Sequence, residues 1–171
     1  MTTATVRTQE EAIKEAIKAE GYNIKGLKTF KGMEGMGGFN LTLYRGKTKV
    51  AFVYNEDHGG PNGYDMVNQE EWEHLKDLCA KMPVDIHTFA GGDITINCDP
   101  DIFIGYIINI EEDRLYWKRQ CAKGIVAILH EDKEGMFRLF KLQHHTPANV
   151  AIVRKHFGDR LKEIVNDRFI Q

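Results

Sequence analysis

The spacing of apolar residues changes along this chain, and each change marks a predicted element. Over 8–19, Ala12, Ile13, Ala16 and Ile17 recur at helical spacing and form a narrow apolar stripe. Thr8 and Glu11 stand where a capping box needs them, and Gly21 is placed to stop the helix. The period then falls to two. Phe39, Leu41 and Leu43 alternate with Asn40, Thr42 and Tyr44, the pattern of a half-buried strand. Strands are predicted at about 24–31, 39–45 and 49–55. The R-G-K-T turn joins the last two as a hairpin, and the nearly all-apolar V-A-F-V-Y run belongs in the interior of a sheet.

Helical spacing returns after Asn68, a second N-cap with Glu71 three residues on. Trp72, Leu75, Leu78, Cys79 and Met82 line one face, and Pro83 ends the segment. The stretch 85–98 reads either as two short strands around Gly91-Gly92 or as an irregular excursion. Asp99-Pro100-Asp101 opens a long helix to about Lys123, with Phe103, Ile107, Ile110, Trp117 and Cys121 on one face; the run I-F-I-G-Y-I-I-N-I within it also suits a buried strand. A second hairpin, 125–130 with 136–142, precedes a helix capped at Thr146-Pro147 and running to Phe157. Gly158 separates it from a last helix, 159–169. The order α-βββ-α-(ββ)-α-ββ-αα predicts one α+β domain over 1–171, a largely antiparallel sheet built from hairpins with helices packed on one or both faces. Its expected core is Phe39, Leu41, Leu43, Val50, Phe52, Trp72, Leu75, Phe103, Ile107, Phe137 and Leu139.

Composition adds few constraints. With 171 residues, 42% apolar and 28% charged, the chain has enough material for its own core and no signature of disorder. Its three cysteines, Cys79, Cys98 and Cys121, form no C-x-x-C pair, which fits buried thiols in a reducing cytoplasm rather than a zinc ribbon or redox motif. The first residues lack an apolar signal segment, and no run reaches the roughly 18 residues of a membrane span.

The charge is partitioned. Residues 1–53 hold nine Lys/Arg and five Asp/Glu, residues 54–113 two and fourteen, residues 114–171 twelve and six, so +4, −12 and +6 sum to −2. Such asymmetry speaks to partners. Either the segments neutralise one another on folding, or the acids of the middle segment gather on a face that meets a basic protein surface.

The densest candidate chemistry lies in 29–65, where glycine-rich loops frame the strand pair. Gly35, Gly37 and Gly38 belong to the first loop; Gly59 and Gly60 belong to the second, with Asp57, His58, Asn62 and Asp65 in and beyond it. Loops on a rigid scaffold often carry binding. Neither loop matches a phosphate-binding loop, and no cofactor is expected. Asp57 and His58 with nearby acids are the materials of a metal-dependent hydrolase or nuclease, an alternative that spacing leaves open. His144-His145-Thr146 contains a single H-x-T triplet without the symmetric partner that two-histidine phosphoesterases need. Arg114, Lys118, Arg119 and Lys123, interleaved with Tyr116 and Trp117, are the pattern of a nucleic-acid-binding helix, a further alternative.

The segments N-L-T-L-Y-R-G-K-T-K-V-A-F-V with the following G-G-P, and M-F-R-L-F-K-L…T-P-A-N-V…K-H-F-G-D, resemble a loose set of uncharacterised small proteins encoded by phages and mobile elements. The resemblance implies an accessory gene and supplies no catalytic residues. The leading expectation is therefore a non-enzymatic, cytoplasmic binding protein that modulates a host system such as a defence nuclease. Its expected surface is Asp57, His58, Asn62, Asp65, Glu70, Glu73 and Asp77 together with the loop glycines.

Overall fold

The computed structural model describes residues 7–31, 37–57, 59–141 and 144–170. The fold is α+β. Four helices and nine strands are arranged as antiparallel sheets of four, two and three strands among these residues. Backbone contacts divide the chain into two compact units, Met1–Glu111 and Glu112–Gln171.

The first unit opens with α1 (Gln9–Glu20). The Thr8 side chain accepts from the Glu11 amide while the Glu11 carboxylate accepts from the Thr8 amide, and Gly21 closes the helix in the left-handed region at φ 73°. Then follow β1 (Tyr22–Phe30), β2 (Gly38–Arg45), β3 (Thr48–Asn55) and β4 (Gly63–Met66), paired in that order into one sheet. The apolar β3 run is an inner strand, as its composition requires.

One face of this sheet carries the core. Leu41, Leu43, Ala51 and Val53 pack with Ile13 and Ile17 of α1, with Trp72 and Leu75 of α2 (Gln69–Cys79), and with Phe103, Ile104 and Ile107 of α3 (Pro100–Cys121). A register shift sits where Leu43 pairs with Ala51 but Tyr44 pairs with Lys49. Val50 is the extra residue, and this bulge turns both Val50 and Ala51 inward. The alternation past it puts Phe52 and Tyr54 on the opposite face, where Phe52 is half-buried and stacks on Tyr54 at 6.0 Å. The core role expected of Phe52 is therefore wrong. Phe39 packs against the core only half-buried.

The α2 start is half a capping box. The Asn68 side chain accepts from the Glu71 amide, but the Asn68 N–H donates to the Val50 carbonyl at 3.1 Å and the Glu71 carboxylate lies 3.0 Å from Arg45. The 85–98 stretch is a hairpin of β5 (Asp85–Phe89) and β6 (Gly92–Ile96). The side chain of Gln9, itself buried, clasps both of its ends, donating to the carbonyls of Pro83 (2.8 Å) and Ile96 (3.0 Å).

In the second unit the order is β8-β7-β9, with β7 (Gly124–Leu129) between β8 (Arg138–Lys141) and β9 (Leu161–Ile164). The expected terminal helix over 159–169 is instead a short 3-10 turn, β9 and a second 3-10 turn, Val165–Phe169. The physical reason is β7. It is apolar on both faces, and with only β8 beside it one whole edge of backbone donors and acceptors would lie unpaired in the core. Helices cover both faces of this sheet. Ile125 and Ala127 pack under α4 (Pro147–Phe157), and Val126 packs with Trp117 of α3 and with Val165. Phe137 and Leu139 line that second cluster half-buried rather than as core, and Ile110 of α3 is exposed. Thr146 caps α4 as expected, accepting from the Asn149 amide.

Candidate functional site

Two regions hold the predicted site residues, and the fold separates them. The first is the loop between β3 and β4. The side chain of Asn55, at the end of β3, donates to the Gly60 carbonyl (3.2 Å) and to the Asn62 side chain (3.0 Å), and its Oδ1 accepts from the Asp57 amide (3.0 Å). Asn62 donates in turn to Asp101 (2.9 Å), at the first turn of α3, and Tyr64 bonds the same carboxylate oxygen. The sequence marks Asp101 only as an acid suited to a helix start. Its role in fastening this loop needs two partners almost forty residues away.

Asp57 is 1% exposed and has a left-handed backbone at φ 70°. Aspartate tolerates that conformation better than most side chains because its short polar group bonds locally. Neither carboxylate oxygen has a hydrogen-bond partner among the described residues. A buried carboxylate without partners is costly. Asp57→Asn keeps the local backbone preference and removes the charge, so it is expected to raise the melting temperature, by an amount equivalent to roughly 1–2 kcal/mol. Thermal unfolding of the two proteins checks this. A lower melting temperature would mean that the carboxylate is compensated in the folded chain.

Asp65 does not join Asp57. It pairs across the sheet with Phe52 and is exposed on the outward face. Among the described residues no three His, Cys, Asp or Glu side chains converge as metal ligands. His58 and Gly35 lie outside the described residues. Gly37 has φ 91° and Gly59 has φ 66°, while Gly60 is exposed. The more consequential glycines make room for rings. A Cβ at Gly38 would stand 2.4 Å from the Phe30 ring, and one at Gly63, which the sequence did not single out, 2.3 Å from the Tyr54 ring.

The second region is α2. Positions 70, 73 and 77 are spaced by three and four residues and so form one stripe, turned away from the buried Trp72, Leu75 and Cys79. Glu70, Glu73 and Asp77 line one open hollow with Glu20 of α1, His74, Leu78 and Lys81. Glu73 is held by Lys76 at 2.6 Å, whose hydrogen bond keeps its carboxyl below the usual range. Glu20 lies 3.8 Å from Arg45 and 3.4 Å from His74. Glu70 and Asp77 are exposed and make no ion pair among the described residues. The charge partition is therefore resolved unevenly. Glu71 is neutralised by Arg45 from the basic N-terminal segment, Asp99 bonds the Ile102 amide (2.8 Å) and Asp101 the loop, while Glu70 and Asp77 stay without an ion pair among the described residues.

Other candidates are absorbed by packing. Trp117 is buried against Phe137 and Val126, so it is not free to stack on a base. His145 bonds Asp167 at 2.8 Å, a carboxylate shared with Arg154, next to the α4 cap. Cys79 and Cys98 are buried side by side. Their mutual hydrogen bond, with burial, pushes the Cys79 thiol up. No helix among the described residues is long and apolar enough to cross a membrane.

Comparison with protein-family models, with curated proteins and with solved structures finds no match to this chain. Its class is thus defined by the fold, α+β with three antiparallel sheets.

Proposed function

We propose that this chain is a non-enzymatic binding protein that docks on a basic surface of another protein. The observation that carries this reading is the α2 stripe, in which Glu70, Glu73 and Asp77 share one side of a helix and Glu70 and Asp77 keep their charge unpaired among the described residues. Acids placed this way attract Lys- and Arg-rich surfaces and speed encounter with them. The β5–β6 hairpin supports it. Phe89 and Ile94 share one of its faces and are 57% and 54% exposed, apolar surface of the kind that partners cover. Such a surface suits the groove of a nucleic-acid enzyme, where the acids would compete with phosphates. Modulation of a host system in the cytoplasm, the expectation formed from the sequence, is part of this proposal.

The test is capture from host lysate by immobilised wild-type chain, alongside the triple reversal Glu70→Lys, Glu73→Lys and Asp77→Lys with its folding verified by circular dichroism. A partner retained by the wild type should bind the variant about tenfold more slowly or worse, and higher salt should slow the wild type in the same sense, because exposed charges are screened beyond about 8–10 Å. Partners that bind both proteins equally at every salt would sink this reading.

A further inference from the structure

The outward face of the four-stranded sheet carries a second surface, independent of the acidic stripe. Register decides its membership. Lys25 pairs with Thr42, Lys28 with Asn40, Tyr44 with Lys49, and Thr42 with Phe52, so all of these side chains project from the face opposite the core. The same bulge that sends Val50 inward sends Lys49 outward. Tyr44, Phe52 and Tyr54 are half-buried and take no part in the hydrophobic core, while all three lysines are exposed.

The rings have fixed neighbours. Phe52 and Tyr54 stack with planes 30° apart, and the Tyr54 ring lies over Gly63, where no side chain lifts it off the sheet. The Lys25 ammonium sits 4.7 Å from the Tyr44 ring centre. None of Lys25, Lys28 and Lys49 makes an ion pair among the described residues, and Asp65, cross-strand from Phe52 on the edge strand β4, is a carboxylate on the same face. Three unpaired cations on a face that also carries three aromatic rings match a polyanion whose units have flat faces.

We propose that this face binds single-stranded nucleic acid, its bases stacking on Tyr44, Phe52 and Tyr54 and its phosphates meeting Lys25, Lys28 and Lys49. A duplex fits poorly, because its bases are already stacked on one another and cannot lie on the rings. The net charge of −2 does not oppose this, since a local field steers a ligand and the acids of α2 belong to a helix on the other side of the sheet.

The probe is a labelled 20-nucleotide oligothymidylate, with oligouridylate and a hairpin duplex for comparison, titrated with the full chain by fluorescence anisotropy. The single strands are expected to bind at least tenfold more tightly than the duplex. With three phosphate contacts the salt slope should be about −2, so raising salt from 50 to 200 mM should weaken binding roughly fifteen- to twentyfold. Lys25→Gln, Lys28→Gln and Lys49→Gln together should flatten that slope. Phe52→Leu and Tyr44→Leu, which fill the same space without a flat ring, should each weaken binding fivefold or more while the slope stays. The lysine variant changes only exposed positions, so the test stands even if a ring variant fails to fold. The proposal is overturned if the wild type binds no single strand at tens of micromolar in 50 mM salt, if the duplex binds equally well, or if the lysine variant binds like the wild type. Loss of host-protein capture by the same lysine variant, with no oligonucleotide binding, would assign the face to a protein instead.

Discussion

Phe103→Ala is expected to cost about 3–5 kcal/mol, against roughly 1 kcal/mol for Phe52→Ala. Both are phenylalanines within apolar runs. Phe103 is fully buried, meets Tyr22 edge-on at 5.3 Å between ring centres, and sits where α3 closes on the sheet. Removing its ring loses the transfer free energy and leaves a cavity that rigid neighbours refill only in part. Phe52 lies on the outward face, so alanine there removes a stacking contact with Tyr54 without opening the core. Urea unfolding followed by Trp72 fluorescence, in a Trp117→Phe background, reads this directly because Trp72 belongs to the same core as Phe103. Equal losses at the two positions would mean that the bulge at Val50 does not invert the strand.

The second large effect is expected at Asn166. It is buried in the turn Val165–Phe169, accepts from the Val126 amide at 2.8 Å and donates to the Gly124 carbonyl at 3.0 Å. A buried amide or carbonyl stripped of its partner costs about 1–3 kcal/mol, so Asn166→Ala, which strands both groups, should lose roughly 2–4 kcal/mol. Asn166→Asp should be nearly as harmful, because it keeps the acceptor for Val126 but replaces the donor with a carboxylate facing the Gly124 carbonyl. Unfolding followed by Trp117 fluorescence in a Trp72→Phe background, with amide exchange along β7, provides the check. Unchanged protection at Val126 would show that the turn does not organise that strand.

Elements with local causes were legible in the chain. Thr8 and Glu11 do their work within one turn of α1, Thr146-Pro147 within one turn of α4, and R-G-K-T between two adjacent strands, so three or four consecutive residues contain the whole mechanism. Legible too was the choice of Glu70, Glu73 and Asp77 as candidate acids, while the sequence left open whether the acids of 54–113 gather on one face. Whether those acids were neutralised was not, because Arg45 reaches Glu71 from a strand earlier in the chain and leaves Glu70 and Asp77 without a partner among the described residues.

The remaining features were decided in three dimensions. The segment 159–169 has spacing compatible with a helix, and its own residues say nothing about an unpaired edge on β7; that edge makes Leu161–Ile164 a strand. Asp57 and Asp65 look like neighbours in the sequence, yet one is buried beyond the end of β3 and the other exposed beside Phe52. The outward face with its lysines and rings went unread for the same reason. A strand's pattern has a period of two, so one extra residue exchanges the two faces for everything beyond it. Where such a residue falls is set by pairing with the neighbouring strand. By itself the sequence determined the helix starts at Thr8 and Thr146, the R-G-K-T hairpin and the α+β class, because short-range hydrogen bonding and spacing suffice for them. Only the tertiary structure decided which face Phe52 and Lys49 occupy, which acids stay unpaired and what the last segment becomes, because each depends on a partner distant in the chain.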